Sequence, residues 1–90
     1  MKRAIITVVG RDSVGIIARV CGFLADNQIN ILEITQTIVK EYFNMMMIVD
    51  ISKTPGTFED LSNRLEVMGK QIGVQIKIQL EEIFDNMHRI

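Results

Sequence analysis

The stretch best suited to chemistry is GRDSVGIIARV, residues 10–20, where a β-branched strand gives way to an amphipathic pattern. The first N–H groups of a helix lack backbone partners and lie at the positive end of its dipole, so such a loop can bind a carboxylate or phosphate. Gly10 and Gly15 let the backbone bend or be approached closely. Asp12 or Ser13 is the predicted N-cap, which puts Gly15 in the first helical turn at a cost of about 1 kcal/mol against alanine. Two interpretations stay open: the loop binds an anionic group, or Asp12 only caps the helix and Gly15 only lets it pack closely.

The other reactive side chains are isolated from one another. Cys21 falls within a predicted helix and His88 in the tail, so neither belongs to a paired Cys/His metal motif. We interpret Cys21 as a small buried hydrophobe and His88 as an exposed residue. Strand alternation would separate Met46 from Met45 and Met47, which favours core packing over copper binding. No nucleophile–base pair is visible, and the sequence predicts no catalytic residue, no metal site and no cofactor.

Composition limits the classes of partner. The 90 residues are 48% hydrophobic and 23% charged, typical of one soluble globular domain spanning residues 1–90. The net charge is −1 with both signs interspersed, which argues against nucleic acid or a membrane surface as a partner. Arg11 and Asp12 cut off the first apolar run, so we interpret that run as a strand rather than a secretory signal. A single cysteine fits a reducing compartment, and we expect a cytoplasmic protein.

Apolar spacing along the chain predicts four strands and two main helices. Strands are indicated by β-branched or alternating residues, and helices by apolar residues three and four apart. The second strand is predicted to be half-buried, with Leu32, Ile34 and Ile38 facing inward. Thr57 is the predicted N-cap of the second helix and Gly73 its left-handed stop. We expect a strand at 3–9, a helix at 14–26, strands at 30–39 and 43–51, a helix at 58–72, a strand at 74–80 and a short tail helix at about 81–90.

This order of elements predicts an α+β fold of the ferredoxin-like βαββαβ type. Its usual form is a four-stranded antiparallel sheet in the order 4-1-3-2, with both helices on one face. The first strand is apolar on both faces and should lie mid-sheet, whereas the last alternates cleanly and suits an edge. The uncovered face should be wet or covered by a partner. Its candidate residues are mostly polar: Glu33, Thr35, Thr37, Asn44, Gln75 and Lys77.

An enzymatic alternative follows from this fold. Small acylphosphatases share it and hold phosphate with a glycine-containing first loop and an arginine near the helix start, a spacing that Gly15 to Arg19 resembles. Asp12 would repel a phosphate dianion. No asparagine lies within the second strand proper, where that family positions its attacking water. The acylphosphatase-like interpretation therefore ranks behind a binding module.

The whole chain resembles the ACT domain family. In VVGRDSVGIIARVCGFLADNQINILEITQTI, a strand leads to the pattern G-x-D-x-x-G-I-x-A-x-V-x-x-x-L-A and then to an N-I pair that begins the second strand. With its tail, the chain is similar to stand-alone single-ACT-domain proteins related to the glycine-cleavage regulator and to the ACT domain of formyltetrahydrofolate deformylases. The residues that match are Gly10, Asp12, Gly15, Ile16, Ala18, Val20, Leu24, Ala25, Asn30 and Ile31.

The resemblance implies a regulatory module rather than an enzyme. ACT domains pair by joining sheets side by side or by stacking faces, and they bind a small amino acid between the first loop of one subunit and the second strand of another. By that resemblance, the ligand-binding residues are Arg11, Asp12, Ser13, Val14 and Gly15, with Asn30 and Ile31 from the neighbouring chain. We expect a homodimer with the tail helix at or near its interface, an amino-acid ligand and a regulated protein partner. A protein–protein interaction module without ligand is the competing hypothesis.

Overall fold

The computed structural model describes residues 2–11 and 14–83. Its elements are β1 (Arg3–Arg11), α1 (Ile16–Asp26), β2 (Asn30–Val39), β3 (Tyr42–Asp50), α2 (Phe58–Ile72) and β4 (Val74–Leu80). This is the predicted βαββαβ order. Residues 81–83 begin a helical turn where the tail helix was predicted. The rest of that predicted helix, including His88, lies outside the described residues.

The four strands form one antiparallel sheet in the order β2-β3-β1-β4, which is the predicted order seen from the other edge. β1 lies in the centre, paired with β3 from Arg3 opposite Asp50 to Arg11 opposite Tyr42. Its other edge pairs with β4 from Ala4 to Gly10. The position predicted from its apolar faces is therefore confirmed, and β2 and β4 are the two edge strands.

Both helices pack on one face of the sheet, which we call the helix side. The largest fully buried side chains there are Phe43, Ile6, Leu24, Met45, Met47, Leu61 and Leu65. Burial of each such side chain contributes about 1.5–3 kcal/mol relative to exposure. Met46, between two core methionines, points to the opposite face and is 42% exposed. The methionine run is thus divided between the two faces, as predicted, whereas Cys21 is only half-buried and the prediction of a buried thiol is wrong.

The termini of α2 match the sequence signals for them. Thr57 is the N-cap, and its Oγ1 accepts a hydrogen bond from the Asp60 N–H at 3.0 Å. Glu59 and Asp60 place negative charge near the positive end of the dipole. Gly73 ends the helix with φ of +81° and donates its N–H to the Gly69 carbonyl. Local residue chemistry therefore fixes both ends of this helix.

β2 is much more exposed than its alternation predicted. Ile34 and Ile38 pair with core residues of β3 and so lie on the helix side, yet they are 48% and 50% exposed. The prediction of a half-buried strand is therefore wrong for the single chain. Alternation shows which side chains share a face of the sheet, but it does not show whether another element covers that face. Leu32 lies at a register shift between Ile31 and Glu33, a β-bulge that interrupts the alternation. An apolar edge strand thus remains uncovered.

The sheet face away from the helices, here called the open face, carries the predicted polar residues on β2, β3 and β4. It also carries apolar side chains that the sequence analysis did not assign to it: Val9, Val39, Tyr42 and Met46, which are between 42% and 61% exposed. Among the residues with described positions, no helix has the length and apolarity needed to cross a membrane.

Candidate functional site

α1 begins directly after Gly15, and Gly15 itself is the N-cap. Its φ of +91° is left-handed, and its carbonyl accepts the first helical hydrogen bond from the Arg19 N–H at 2.9 Å. The prediction that Asp12 or Ser13 caps a helix starting at Val14 is therefore wrong. The chain enters α1 through a left-handed residue, a conformation that costs a residue with a side chain about 1–2 kcal/mol. Asp12 and Ser13 lie outside the described residues.

Within the part of the chain that the structure describes, the N-terminus of α1 lacks the side-chain acceptor and the acidic residues that stabilise the N-terminus of α2. Gly15 has no side chain to accept from the first-turn N–H groups, and that turn contains no acidic residue. At α2, Thr57 accepts one such hydrogen bond and Glu59 and Asp60 supply negative charge. A Cβ built on Gly15 meets no atom of residues 2–11 or 14–83 within 4 Å, so the space beside it is open to that extent. This end of α1 can receive an anionic group at close range.

Two more of the predicted site residues lie at the same end of the molecule. Val14 precedes Gly15 and is fully exposed, and Arg11 ends β1 opposite Tyr42 with its side chain exposed. Arg11 forms no ion pair with any residue in 2–11 or 14–83. The structure therefore places Arg11, Val14 and Gly15 at one end of the sheet, with the Arg11 side chain on the open face, and we call these three residues the loop cluster.

Asn30 and Ile31 lie at the opposite end of the sheet. Asn30 pairs with Asp50, which in turn pairs with Arg3 at the start of β1, whereas Arg11 is at its other end. Eight residues of strand separate the two ends, about 26 Å at the usual rise. Asn30 is exposed, and Ile31 is partly buried against the core. A single chain thus presents the two halves of the predicted site on opposite ends.

A carboxylate that the sequence analysis did not consider accompanies Asn30. Asp50 Oδ1 accepts hydrogen bonds from the Ser52 hydroxyl at 2.6 Å and from the Ser52 N–H at 2.9 Å. These two bonds hold the pKa of Asp50 below its ordinary value, and the bond from the hydroxyl has the larger effect. Asp50 is therefore ionised at neutral pH. The sequence signal for it was a short Asp-x-Ser motif at the end of a strand.

Arg19, the arginine of the acylphosphatase alternative, lies near the start of α1 and lines a groove of about 650 Å³ between α1 and α2. A second groove of about 530 Å³ lies between α2 and the edge of β4. Neither groove contains a residue of the predicted ligand site. Within the described part of the chain, no three His, Cys, Asp or Glu side chains are grouped to hold a metal ion.

Comparison with known proteins places the chain in a family. Residues 2–79 match the family model of the ACT domain. The chain is 56% identical to the UPF0237 protein of Bifidobacterium longum over 90 residues, which is the full length of both. An ACT domain protein from Streptococcus pneumoniae superposes with a TM-score of 0.83 at 44% identity, over 93% of this chain and 94% of that one.

The expected likeness to formyltetrahydrofolate deformylases is confirmed at the level of fold. The enzyme from Pseudomonas syringae gives a TM-score of 0.81 at 20% identity, over 89% of this chain but only 28% of the enzyme. Three observations point to the same family: the fold, the match of residues 2–79 to the family model, and the relatives of the same length. The chain belongs to the ACT domain family.

Proposed function

We propose that this protein is a non-enzymatic regulatory module that binds a small amino acid at a homodimer interface and so controls a partner protein. The observation that carries the proposal is the N-terminus of α1, where within residues 2–11 and 14–83 no side chain accepts from the cap and the space beside Gly15 is open. Membership of the ACT domain family supports a small regulatory domain.

The α-carboxylate of the ligand accounts for the features of the loop cluster. First-turn N–H groups and the positive end of the dipole favour a carboxylate, and the exposed Arg11 guanidinium adds positive charge at the same end. Because Gly15 has no side chain, the ligand can approach the backbone there without steric conflict. Recognition of the carboxylate would be common to all amino acids, so selectivity must come from the second half of the site.

The start of β2 in the neighbouring chain supplies that second half. Asn30 offers amide groups to the ligand, and either Asp12 of the first chain or Asn30 of the neighbour receives its ammonium group. Asp50, ionised and paired with Asn30 across the ladder, adds negative potential at that end. Contact with Ile31 supplies an apolar wall. A positively charged end would thus face the carboxylate and a polar, negatively charged end the ammonium.

Antiparallel pairing of two β2 strands brings these halves together. A two-fold axis through the middle of β2 places Asn30 of each chain beside the Val39 end of the other, the end at which the loop cluster lies two strands further into the sheet. The same contact covers Ile34 and Ile38, which are half exposed in the single chain. It also removes an unpaired sheet edge, which is an aggregation hazard when left open. Each dimer would carry two equivalent ligand sites.

A thermal-shift screen of the free amino acids, followed by isothermal titration of those that stabilise, tests the proposal. A ligand present at 100 times its dissociation constant should add about 2.7 kcal/mol to the free energy of unfolding. Titration should give one ligand per chain. Absence of stabilisation by every amino acid would contradict the proposal and favour the interaction module without ligand. Hydrolysis of an acyl phosphate by the purified chain would instead support the enzymatic alternative.

A further inference from the structure

A groove of about 650 Å³ separates the outer surfaces of α1 and α2. Its α1 wall contains the small residues Ala18 and Gly22, and its α2 wall contains Val67, which is 56% exposed. Phe23 and Met68 also line the groove and belong to or pack against the core. This apolar groove lies on the side of the molecule away from the sheet, and no described segment of the chain fills it.

Among the described residues, neither close packing nor a left-handed backbone explains a glycine at position 22. It is exposed in the middle of α1, and a Cβ built on it meets nothing within 4 Å. Glycine at such a position costs about 1 kcal/mol of helix stability against alanine. Gly69, by contrast, lies against the backbone of β4, where a Cβ would come within 2.8 Å of the Val74 carbonyl oxygen. A glycine that nothing approaches within the chain leaves room for another backbone to approach from outside.

Two opposite charges lie on either side of Gly22 along the groove. Arg19 and Asp26 are both exposed, both line the groove, and neither forms an ion pair with residues 2–11 or 14–83. Seven residues apart on a helix, they lie on the same side and about 10 Å apart along its axis. Their midpoint falls between Gly22 and Phe23.

The guanidinium on the opposite wall is already occupied. Arg64 Nε donates to Asp60 at 3.1 Å and its Nη1 donates to Asn27 at 2.7 Å. The same guanidinium lies 5.5 Å from the centre of the Phe23 ring. Arg19 and Asp26 are therefore the charged side chains of the groove that remain available for an incoming surface.

We propose that this groove binds a second copy of the chain, with the two α1 helices antiparallel and a two-fold axis passing near Gly22. In that arrangement Arg19 of each chain faces Asp26 of the other, so one surface supplies both partners of two ion pairs, as an isologous interface requires. The small residues Ala18 and Gly22 allow close approach of the helices, and the charge pairs set their register. An unrelated partner would not need opposite charges three and four residues on either side of Gly22.

This contact is separate from the β2 edge. The groove lies over the helix layer, whereas the proposed ligand-binding dimer uses the sheet edge at β2, so both contacts can form in one assembly. A chain that used both would associate beyond a dimer. The helix-face contact therefore stands independently of the proposed ligand function.

Sedimentation velocity over a range of concentrations at low ionic strength tests this inference on the full chain. Arg19→Asp and Asp26→Arg each replace two attractive pairs with two repulsive ones, and each should weaken the helix-face association by about tenfold or more. The double variant Arg19→Asp with Asp26→Arg restores opposite charges across the axis and should recover the wild-type association. Lys53→Glu changes the net charge as much as Arg19→Asp does but lies in an exposed loop, and it should leave the association unchanged.

A steric variant provides an independent measurement. Gly22→Gln meets nothing within the chain and is a better helix former, so the variant should fold, as circular dichroism would show, while it loses the association. Two outcomes would overturn the inference: a mass distribution that is the same in the wild type and both single variants, or a double variant that associates as weakly as the singles.

Discussion

Gly15 has two properties that matter for the site: a left-handed backbone conformation and the absence of a side chain. Its φ of +91° turns the chain into α1, and its missing side chain leaves open the space beside the helix N-terminus. Gly73 has a similar conformation, with φ of +81° and open space around its absent Cβ, and it is not one of the predicted site residues, although it precedes Val74, which pairs with Gly10 at the same end of the sheet. The two glycines therefore form a natural pair for separating backbone strain from ligand access.

Alanine at each of these glycines should have the same effect on stability but different effects on binding. Both Gly15→Ala and Gly73→Ala force alanine into a left-handed conformation, so each should lower the free energy of unfolding by about 1–2 kcal/mol in urea titrations. Only Gly15→Ala places a methyl group where the ligand carboxylate is expected. Isothermal titration with the amino acid found in the screen should show a large loss of affinity for that variant alone. Equal affinity in both variants would place the ligand elsewhere.

Asp50 shows how one side chain sets the charge at the other end of the sheet. Because the Ser52 hydroxyl and N–H stabilise its ionised form, its pKa lies below the ordinary 3.8. The sign follows from linkage: a lowered folded pKa stabilises the fold above the unfolded pKa, and this contribution is lost as the pH falls through the folded value. Ser52→Ala removes the hydroxyl and should raise the pKa of Asp50 toward 3.8, as an NMR titration of its carboxyl would show. An unchanged pKa would mean that the N–H bond alone is responsible.

At the scale of the elements, two helical glycines should respond to the same substitution with opposite signs. Gly69→Ala puts a methyl group 2.8 Å from the Val74 carbonyl oxygen, so α2 and β4 must separate, at a cost of about 1–3 kcal/mol. Gly22→Ala adds a methyl group in open space and should raise the free energy of unfolding by about 1 kcal/mol. Chemical denaturation of both variants at one chain concentration, too low for the helix-face association, measures the difference. Destabilisation by Gly22→Ala at that concentration would show that the outer face of α1 is packed within the single chain.

Sequence signals located the elements well where a side chain acts locally. Thr57 and Gly73 identified both ends of α2, because the N-cap depends on a single side-chain oxygen and the C-terminal stop on a single left-handed residue. The start of α1 was misassigned because an N-cap made by the backbone conformation of Gly15 leaves no side-chain signal, while Asp12 and Ser13 supply a false one. The exposure of Ile34 was not predicted for a different reason. Alternation shows which face of the sheet a side chain is on, but its burial depends on the elements and chains that pack against that face.

At the scale of the whole molecule, the sheet order followed from the order of the elements and from β1 being apolar on both faces. The division of the site between the two ends of the sheet was harder to predict from the sequence, because strand pairing rather than distance along the sequence separates Gly15 from Asn30. Only 15 positions separate these two residues in the sequence, but α1 carries the chain from one end of the sheet toward the other between them. The groove over the helices and the role of Asp50 depend on contacts that periodicity does not encode.

The two modes of dimerisation left open by the sequence make different predictions for two substitutions. Ile34→Lys places a charge on the apolar edge strand and should abolish a side-by-side dimer, since Ile34 is 48% exposed and its replacement should leave the single chain folded. Val9→Lys alters the open face at a residue that is 45% exposed and should leave that dimer intact. Sedimentation equilibrium of both variants decides between the modes. Loss of the dimer only in Val9→Lys would mean that sheets stack face to face.

The central position of β1 has a consequence for the chain as it is synthesised. β1 is made first, but one of its two partners, β4, is made last, after residues 12–73. At ~5–20 residues per second, β1 waits about 3–12 s on the ribosome for that partner. During this interval an Ile- and Val-rich segment is open to pairing with other nascent chains. Lys2 and Arg3 at one end of the strand and Arg11 at the other place positive charges on both flanks, which oppose such pairing until β4 emerges.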